Sequence, residues 1–251
     1  MLQNQTKLNH GITTQNDPDP LPWPPWHESD MDNQEHVVTF LPPNQQGESA
    51  KEEWTDDHNE FIAENEDNPK FITMYADGSL TKRNRRQQTG YGVARYYMGN
   101  KVFKAKGALG EQAKVYDAEM TGLCMAAEAT KQFVLDRDWT QQPTHIVFYA
   151  DNSVSILHIY KGTPGKAQKQ SLTFRRQIKG ILNKVKDVLI AISWVPRHSS
   201  IVGNKEADQL TKEGMKLRPD QHNHKTQAFM ASLHKREMLE EWTHCWNNHA
   251  T

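Results

Sequence analysis

The sequence predicts an α/β fold, a five-stranded mixed sheet flanked by helices, on three observations. The first is a change of period. Three apolar or β-branched runs come early, Phe71 to Tyr75 (FITMY), Gly90 to Tyr97 (GYGVARYY) and Lys101 to Gly107 (KVFKAKG), and helical and strand patterns alternate after them. The second is turn chemistry: Gly99-Asn100 between the second and third runs suits a hairpin, which makes the opening three strands an antiparallel meander. The third is the order β-β-β-α-β-α-α-β-α, which requires helices packed on a sheet that mixes strand directions.

Each element has a local reason. Ala76-Asp77-Gly78-Ser79 reads as a break after the first strand, and the basic loop Lys82 to Gln88 leads into the second. From Val115 to Val134 the period becomes helical, with Val115, Ala118, Gly122, Met125, Ala126, Ala129 and Phe133 on one broad face. His145 to Tyr149 (HIVFY) returns to strand. Asn152 to Tyr160 reads as a helix ended by Gly162-Thr163-Pro164-Gly165, and Leu172 to Val185 as another, with Phe174, Ile178, Ile181 and Val185 in one stripe. Val188 to Val195 (VLIAISWV) is the last strand, stopped by Pro196, and Gly203-Asn204 opens a final helix carrying Ala207, Leu210 and Gly214.

The chain divides by composition into three parts. Residues 1–69 form an acidic extension rich in Pro, Asn and Gln, with 2 Lys/Arg against 15 Asp/Glu, and read as disordered or loosely docked. Within it lie DPDPLPWPPW at 17 to 26 and a weak helical pattern from Thr55 to Glu66. Residues 70–218 hold 25 Lys/Arg against 12 Asp/Glu, so the net charge of −1 conceals a basic domain. Such a segment is either a nucleic-acid face or a solvated surface. Residues 219–251 read as a linker and an amphipathic helix from Phe229 to Trp246. Two cysteines exclude a disulfide framework and point to a reducing, intracellular setting, nuclear or cytoplasmic; no apolar run is long enough for a membrane span.

Four carboxylates stand where the elements present them. Asp77 ends the first strand, Glu119 lies one turn into the first helix, Asp151 ends the fourth strand, and Asp208 lies near the start of the last helix. The two strand-end aspartates occur in a near-repeat, YADG at 75 to 78 and YADN at 149 to 152. An aspartate ending a buried strand has lost hydration, and two side by side repel, so each needs a cation or donors. A divalent ion answers both needs, and an all-oxygen set selects magnesium or manganese over zinc. The loop before the last helix adds His198, ten residues ahead of Asp208, as a proton shuttle. Asp117, close to Glu119, reads as a solvated first-turn charge, and Trp194 as core packing.

ADGS, AEM inside a helix, ADNS and WVPRHSSIVGNKEAD, in this order of elements, resemble a type 1 ribonuclease H domain over about Lys70 to Leu217. The resemblance implies a ribonuclease H-like fold and hydrolysis of the RNA strand of RNA–DNA hybrids with two magnesium ions, manganese being the alternative. By the same resemblance Asp77, Glu119, Asp151 and Asp208 would hold the metals, His198 would be the mobile loop histidine, and Asn204 would stand near the active site. Substrate contacts would then come from Gly78, Ser79, Asn152 and Ser153 at the metals, and from Lys166, Lys169, Arg175 and Arg176 along the DNA backbone. Arg197 and Ser200 depart from the pattern, which usually has glycine at both, and imply a stiffer loop. The acidic extension and the motif context look more like the domain carried behind a reverse transcriptase in non-LTR retrotransposons. A monomer is expected, with the acidic segment 1–69 as an internal partner that competes with nucleic acid for the basic face. A hybrid-binding remnant without catalysis is the alternative.

Overall fold

The computed structural model describes residues 36–41, 47–83, 86–161, 165–185, 187–219 and 225–249. In chain order the elements are β1 (Val37–Phe40), α1 (Glu48–Asn65), β2 (Phe71–Arg83), β3 (Arg86–Tyr97), β4 (Asn100–Gly110), α2 (Val115–Leu135), β5 (His145–Ala150), α3 (Ser153–Lys161), α4 (Gln168–Lys184), β6 (Leu189–Trp194), α5 (Val202–Gly214) and α6 (Gln227–His249). The strands form one mixed sheet in the order β1-β6-β5-β2-β3-β4. The pairs β2–β3 and β3–β4 are antiparallel, and β2–β5, β5–β6 and β1–β6 are parallel.

The central strands are buried on both faces, which is why they read as unbroken apolar runs. Alternation assigns the faces. Ile72, Met74 and Ala76 of β2, Ile146 and Phe148 of β5, and Ile190 and Ile192 of β6 enter the larger core with α2, α3 and α4. Phe71 and Tyr75, Val147 and Tyr149, and Ala191 enter a second core with Ile62 of α1 and Ala207 of α5.

Three expectations change. The sheet has a sixth strand, because Val37 to Phe40 pairs in parallel with Ile190 to Ser193 and covers an edge that would otherwise be bare. Within the extension read as disordered, residues 36–41 and 47–69 are therefore part of the fold. Helix α1 lays His58 edge-on against Tyr149 at 4.6 Å and Phe61 edge-on against Phe71 at 5.4 Å. The rest of that extension, with DPDPLPWPPW, lies outside the described residues. The break expected at Ala76 to Ser79 does not occur. β2 runs on to Arg83 because β3 pairs with it throughout, Asp77 facing Gly92 and Ser79 facing Gly90. Cross-strand bonding outweighs the local turn preference of Asp-Gly-Ser.

Helix α6 is anchored through its first turn. The Thr226 hydroxyl donates to Asp117 Oδ2 at 2.6 Å and accepts the Phe229 amide at 3.1 Å, and Ala228 is buried. Asp117 is thus buried and also accepts the Lys114 amide at 2.8 Å, so it is a capping carboxylate rather than a solvated charge. Further along, Met238, Leu239, Trp242 and Trp246 are exposed. Among the described residues no helix is long and apolar enough to cross a membrane.

Candidate metal centre

The site is built where parallel pairing between β2 and β5 ends. The last pairs are Tyr75 with Tyr149 and Ala76 with Ala150. The near-repeat in the sequence is thus side by side in space, and the next residue on each chain is an aspartate, Asp77 and Asp151. The tyrosines below them stack at 4.9 Å. Helix α2 supplies the third acid, Glu119, and can come down onto β2 because Gly78 has no side chain: a Cβ there would stand 2.2 Å from the Glu119 amide nitrogen.

Ligand atoms of Asp77, Glu119 and Asp151 all lie within 4.8 Å of one another. Asp77 and Glu119 are buried, 5 % and 1 % exposed. Burial, then the Asp151 charge, raises the Asp77 carboxyl to about 6, with the Thr211 hydroxyl opposing. Glu119 is held well above the usual carboxylate range by burial, then by Asp151 and Asp77. Among these buried oxygens Asp77 Oδ2, Glu119 Oε1 and Glu119 Oε2 complete no hydrogen bond. A buried oxygen without a donor costs about 1–3 kcal/mol or more when charged. This all-oxygen set of acids, with orphaned buried atoms, fits a hard divalent cation such as magnesium or manganese.

One protein cation already reaches the cluster. Arg197, on the loop between β6 and α5, places Nε 3.0 Å from Asp151 Oδ2 and Nη2 3.3 Å from Asp151 Oδ1, and Nη2 lies 3.5 Å from Glu119 Oε1. Sequence reasoning singled out Arg197 as a stiffener of its loop and missed this pairing. Its charge next to His198 was the available signal.

The cluster opens into a cleft of about 510 Å³ lined by Asp77, Gly78, Ser79, Asp151, Arg197, His198, Asn204 and Asp208, among others. His198 is exposed on the loop, with φ of 58°. Asn204 is buried in the first turn of α5, and its Oδ1 has no hydrogen-bond partner. Asp208 is the expected ligand that the structure leaves outside the three-acid group. It stands one turn further along α5, on the cleft wall, paired with Lys212 at i+4.

The expected nucleic-acid contacts separate into two groups. Ser79 lines the cleft and Ser153 begins α3 beside Asp151. Lys166 and Arg176 are exposed, and Lys169 is half-buried. Gly78 also borders the cleft, but its lack of a side chain is accounted for by the α2 contact. Asn152 is committed to the N-terminus of α3, its Oδ1 accepting the Val154 and Ser155 amides at 3.1 Å each. Arg175 is buried and donates to the Tyr160 carbonyl at 2.9 Å, so it braces α3 against α4 instead of facing a backbone phosphate.

Sequence reasoning also missed a link from outside the site. Trp54 of α1 donates its indole N–H to the Trp194 carbonyl at 3.1 Å, and the half-buried Trp194 donates its own to the Asp151 carbonyl at 3.1 Å.

The profile of the RNase H family matches residues 69–216. Human ribonuclease H1 (Homo sapiens) is 29% identical over 160 residues, which is 60% of this chain and 52% of that protein. The chain thus spans about half the length of this curated relative. Among solved structures, RNase H1 from the archaeon Halobacterium salinarum NRC-1 is 19% identical, with a TM-score of 0.43 over 58% of this chain and 97% of that one. The N-terminal RNase H domain of rv2228c from Mycobacterium tuberculosis, solved as a fusion with maltose binding protein, is 20% identical, with a TM-score of 0.44 over 58% and 99%.

Proposed function

The chain belongs to the RNase H family through residues 69–216, and from this premise we propose that it hydrolyses the RNA strand of RNA–DNA hybrids by two-metal-ion catalysis, with magnesium preferred and manganese able to replace it. The observation that carries the reading is the meeting of Asp77, Glu119 and Asp151, from three separate parts of the fold, within 4.8 Å, with Asp77 and Asp151 lining an open cleft. These three would hold one ion and Asp208, from the cleft wall, would share in holding the other. Bound divalent ions supply an activated water and stabilise a leaving oxygen.

The remaining roles belong to the chain's own side chains. Asn204 borders the cleft from the first turn of α5, and its side-chain amide would serve to recognise a 2′-hydroxyl, the group that separates RNA from DNA. His198, exposed and lining the cleft, would take or give a proton as product leaves. Lys166 and Arg176 would follow a phosphate backbone at a distance from the metals.

Incubating the full chain with a labelled hybrid and magnesium, beside Asp151→Asn, single-stranded RNA and duplex DNA, tests the proposal. Cleavage confined to the RNA of the hybrid and lost in Asp151→Asn is expected. Cleavage that survives the substitution would sink it. The Arg197 pairing with Asp151 favours one second reading, hybrid binding without turnover, and the same experiment identifies it as retention of hybrid with no cleavage at saturating magnesium. A retroelement origin of the non-LTR type accompanies the proposal, supported by the motif context; a genomic locus with no polymerase reading frame beside it would count against it.

A further inference from the structure

Resting on the metal-site reading above, we propose that Arg197 is a built-in competitor of the divalent ion, holding Asp151 until a metal takes it and thereby setting the metal concentration at which the site fills.

The geometry carries this. Arg197 engages both oxygens of Asp151 at 3.0 and 3.3 Å, the fork arrangement that satisfies a carboxylate most completely. Its Nη2 also faces Glu119 Oε1 at 3.5 Å, so one guanidinium spans two of the three acids. The fork takes up two of the roughly four lone-pair sites of the Asp151 carboxylate and places a full positive charge against it. A divalent ion drawn to the same acids is repelled by that charge, so metal entry is favoured by withdrawal of the guanidinium. It has somewhere to go: the side chain is 52% exposed, on a loop that spans residues 195–201 between β6 and α5. Asp208 shows the same arrangement in a weaker form, its cation Lys212 lying on the same helix. Asp77 Oδ2 and the Glu119 oxygens complete no hydrogen bond, so no donor has to be displaced from them when an ion binds.

An ion pair half-open to solvent is worth about 1 kcal/mol, so removing it should tighten metal binding roughly fivefold. The test is manganese binding to the full chain, followed by electron paramagnetic resonance and calorimetry, for wild type, Arg197→Ala, Arg197→Lys, Asp151→Asn and the Arg197→Ala/Asp151→Asn pair. Arg197→Ala should bind manganese roughly fivefold more tightly while the metal-free protein becomes less stable, a combination that a merely structural role does not produce. Arg197→Lys, which keeps the charge without the fork, should fall between, and it serves if the alanine variant folds poorly. In wild type the Arg197 Nε–H resonance should shift at the same midpoint as metal binding. Equal or weaker binding in both Arg197 variants, with binding still lost in Asp151→Asn, overturns the competitor role and leaves the metal site standing. Equal binding by wild type and Asp151→Asn overturns the metal site itself and the competitor with it.

Discussion

Replacing Trp54 by phenylalanine would test whether the elements ahead of the family match help to hold the cluster of Asp77, Glu119 and Asp151. Trp54 lies on α1, before residue 69, and touches Trp194 in two ways: its N–H reaches the Trp194 carbonyl at 3.1 Å and the rings meet edge-on at 5.7 Å. Trp54→Phe keeps a ring and removes the donor. A net loss of about 1 kcal/mol is expected, the usual worth of one intramolecular hydrogen bond. Trp54→Ala also loses the edge contact, about 0.5–1.5 kcal/mol beyond its buried area, for a total of about 3 kcal/mol. Urea unfolding of the full chain measures both. A double-mutant cycle between Trp54→Ala and Trp194→Ala should return a coupling of at least about 0.5 kcal/mol, because the two rings are in contact. Since Trp194 passes its own N–H to the Asp151 carbonyl, the Trp54→Phe loss also bounds what can reach the metal site, at most about fivefold in manganese affinity. Wild-type stability in Trp54→Phe together with an additive cycle would show that α1 is passive.

Stability of the metal-free chain should depend on pH through two groups of opposite sign. Asp77, raised to about 6, contributes stability that is complete below about pH 4 and is lost as pH rises through 6, about 3 kcal/mol in all, and Glu119 acts in the same direction. His58, lowered to about 4 by burial, contributes stability that is complete above about pH 6.5 and is lost as pH falls toward 4. Asp77→Asn should therefore gain on wild type by about 2–3 kcal/mol between pH 4 and 7 in urea titrations with chelator; a constant difference would contradict the assignment. Asn152→Ala should cost about 1 kcal/mol through the lost α3 cap, visible as a melting point about 2–4 °C lower, and an unchanged melt would show that the cap is dispensable. Gly78→Ala would push a methyl to 2.2 Å from the Glu119 backbone nitrogen, so it should lower stability by about 1–3 kcal/mol and weaken manganese binding, with wild-type binding arguing against the close approach.

The parts of this molecule that were legible in the sequence are those whose signal is local. HIVFY and VLIAISWV are strands because they are buried on both faces, and the pair YADG and YADN marks two strand ends with an acid on each. The parts that were not legible depend on partners far along the chain. VVTF, four residues long and followed by Leu41-Pro42-Pro43, carries no strand signal strong enough to separate it from an acidic linker. It is a strand because β6, some 150 residues later, offers it an open edge. Helix α1 was legible only as a weak pattern from Thr55 to Glu66; its first turns and its docking were not, because it buries Thr55 and His58, which no hydrophobic pattern would select, against aromatic edges and faces from β2 and β5. Arg197 was visible as an anomaly, but its meaning required Asp151, 46 residues upstream, and Glu119 on another element.

Asp77 combines both cases. Its chemistry was plain, while its placement in the middle of a 13-residue strand contradicts the turn that Asp-Gly-Ser suggests. That contradiction is how the site works: β3 on one side holds Asp77 rigid within the ladder, and on the other side β5 stops after Ala150, one residue short of it. The carboxylate is thus fixed in position at the one point in the strand where the sheet no longer covers it, beside Asp151 and under Glu119. A turn at the same place would have delivered the same acid on a flexible loop, and three mutually repelling carboxylates on flexible supports would move apart rather than stay within 4.8 Å. The strand's rigidity keeps the acids together, and Arg197 makes that closeness tolerable in the absence of metal.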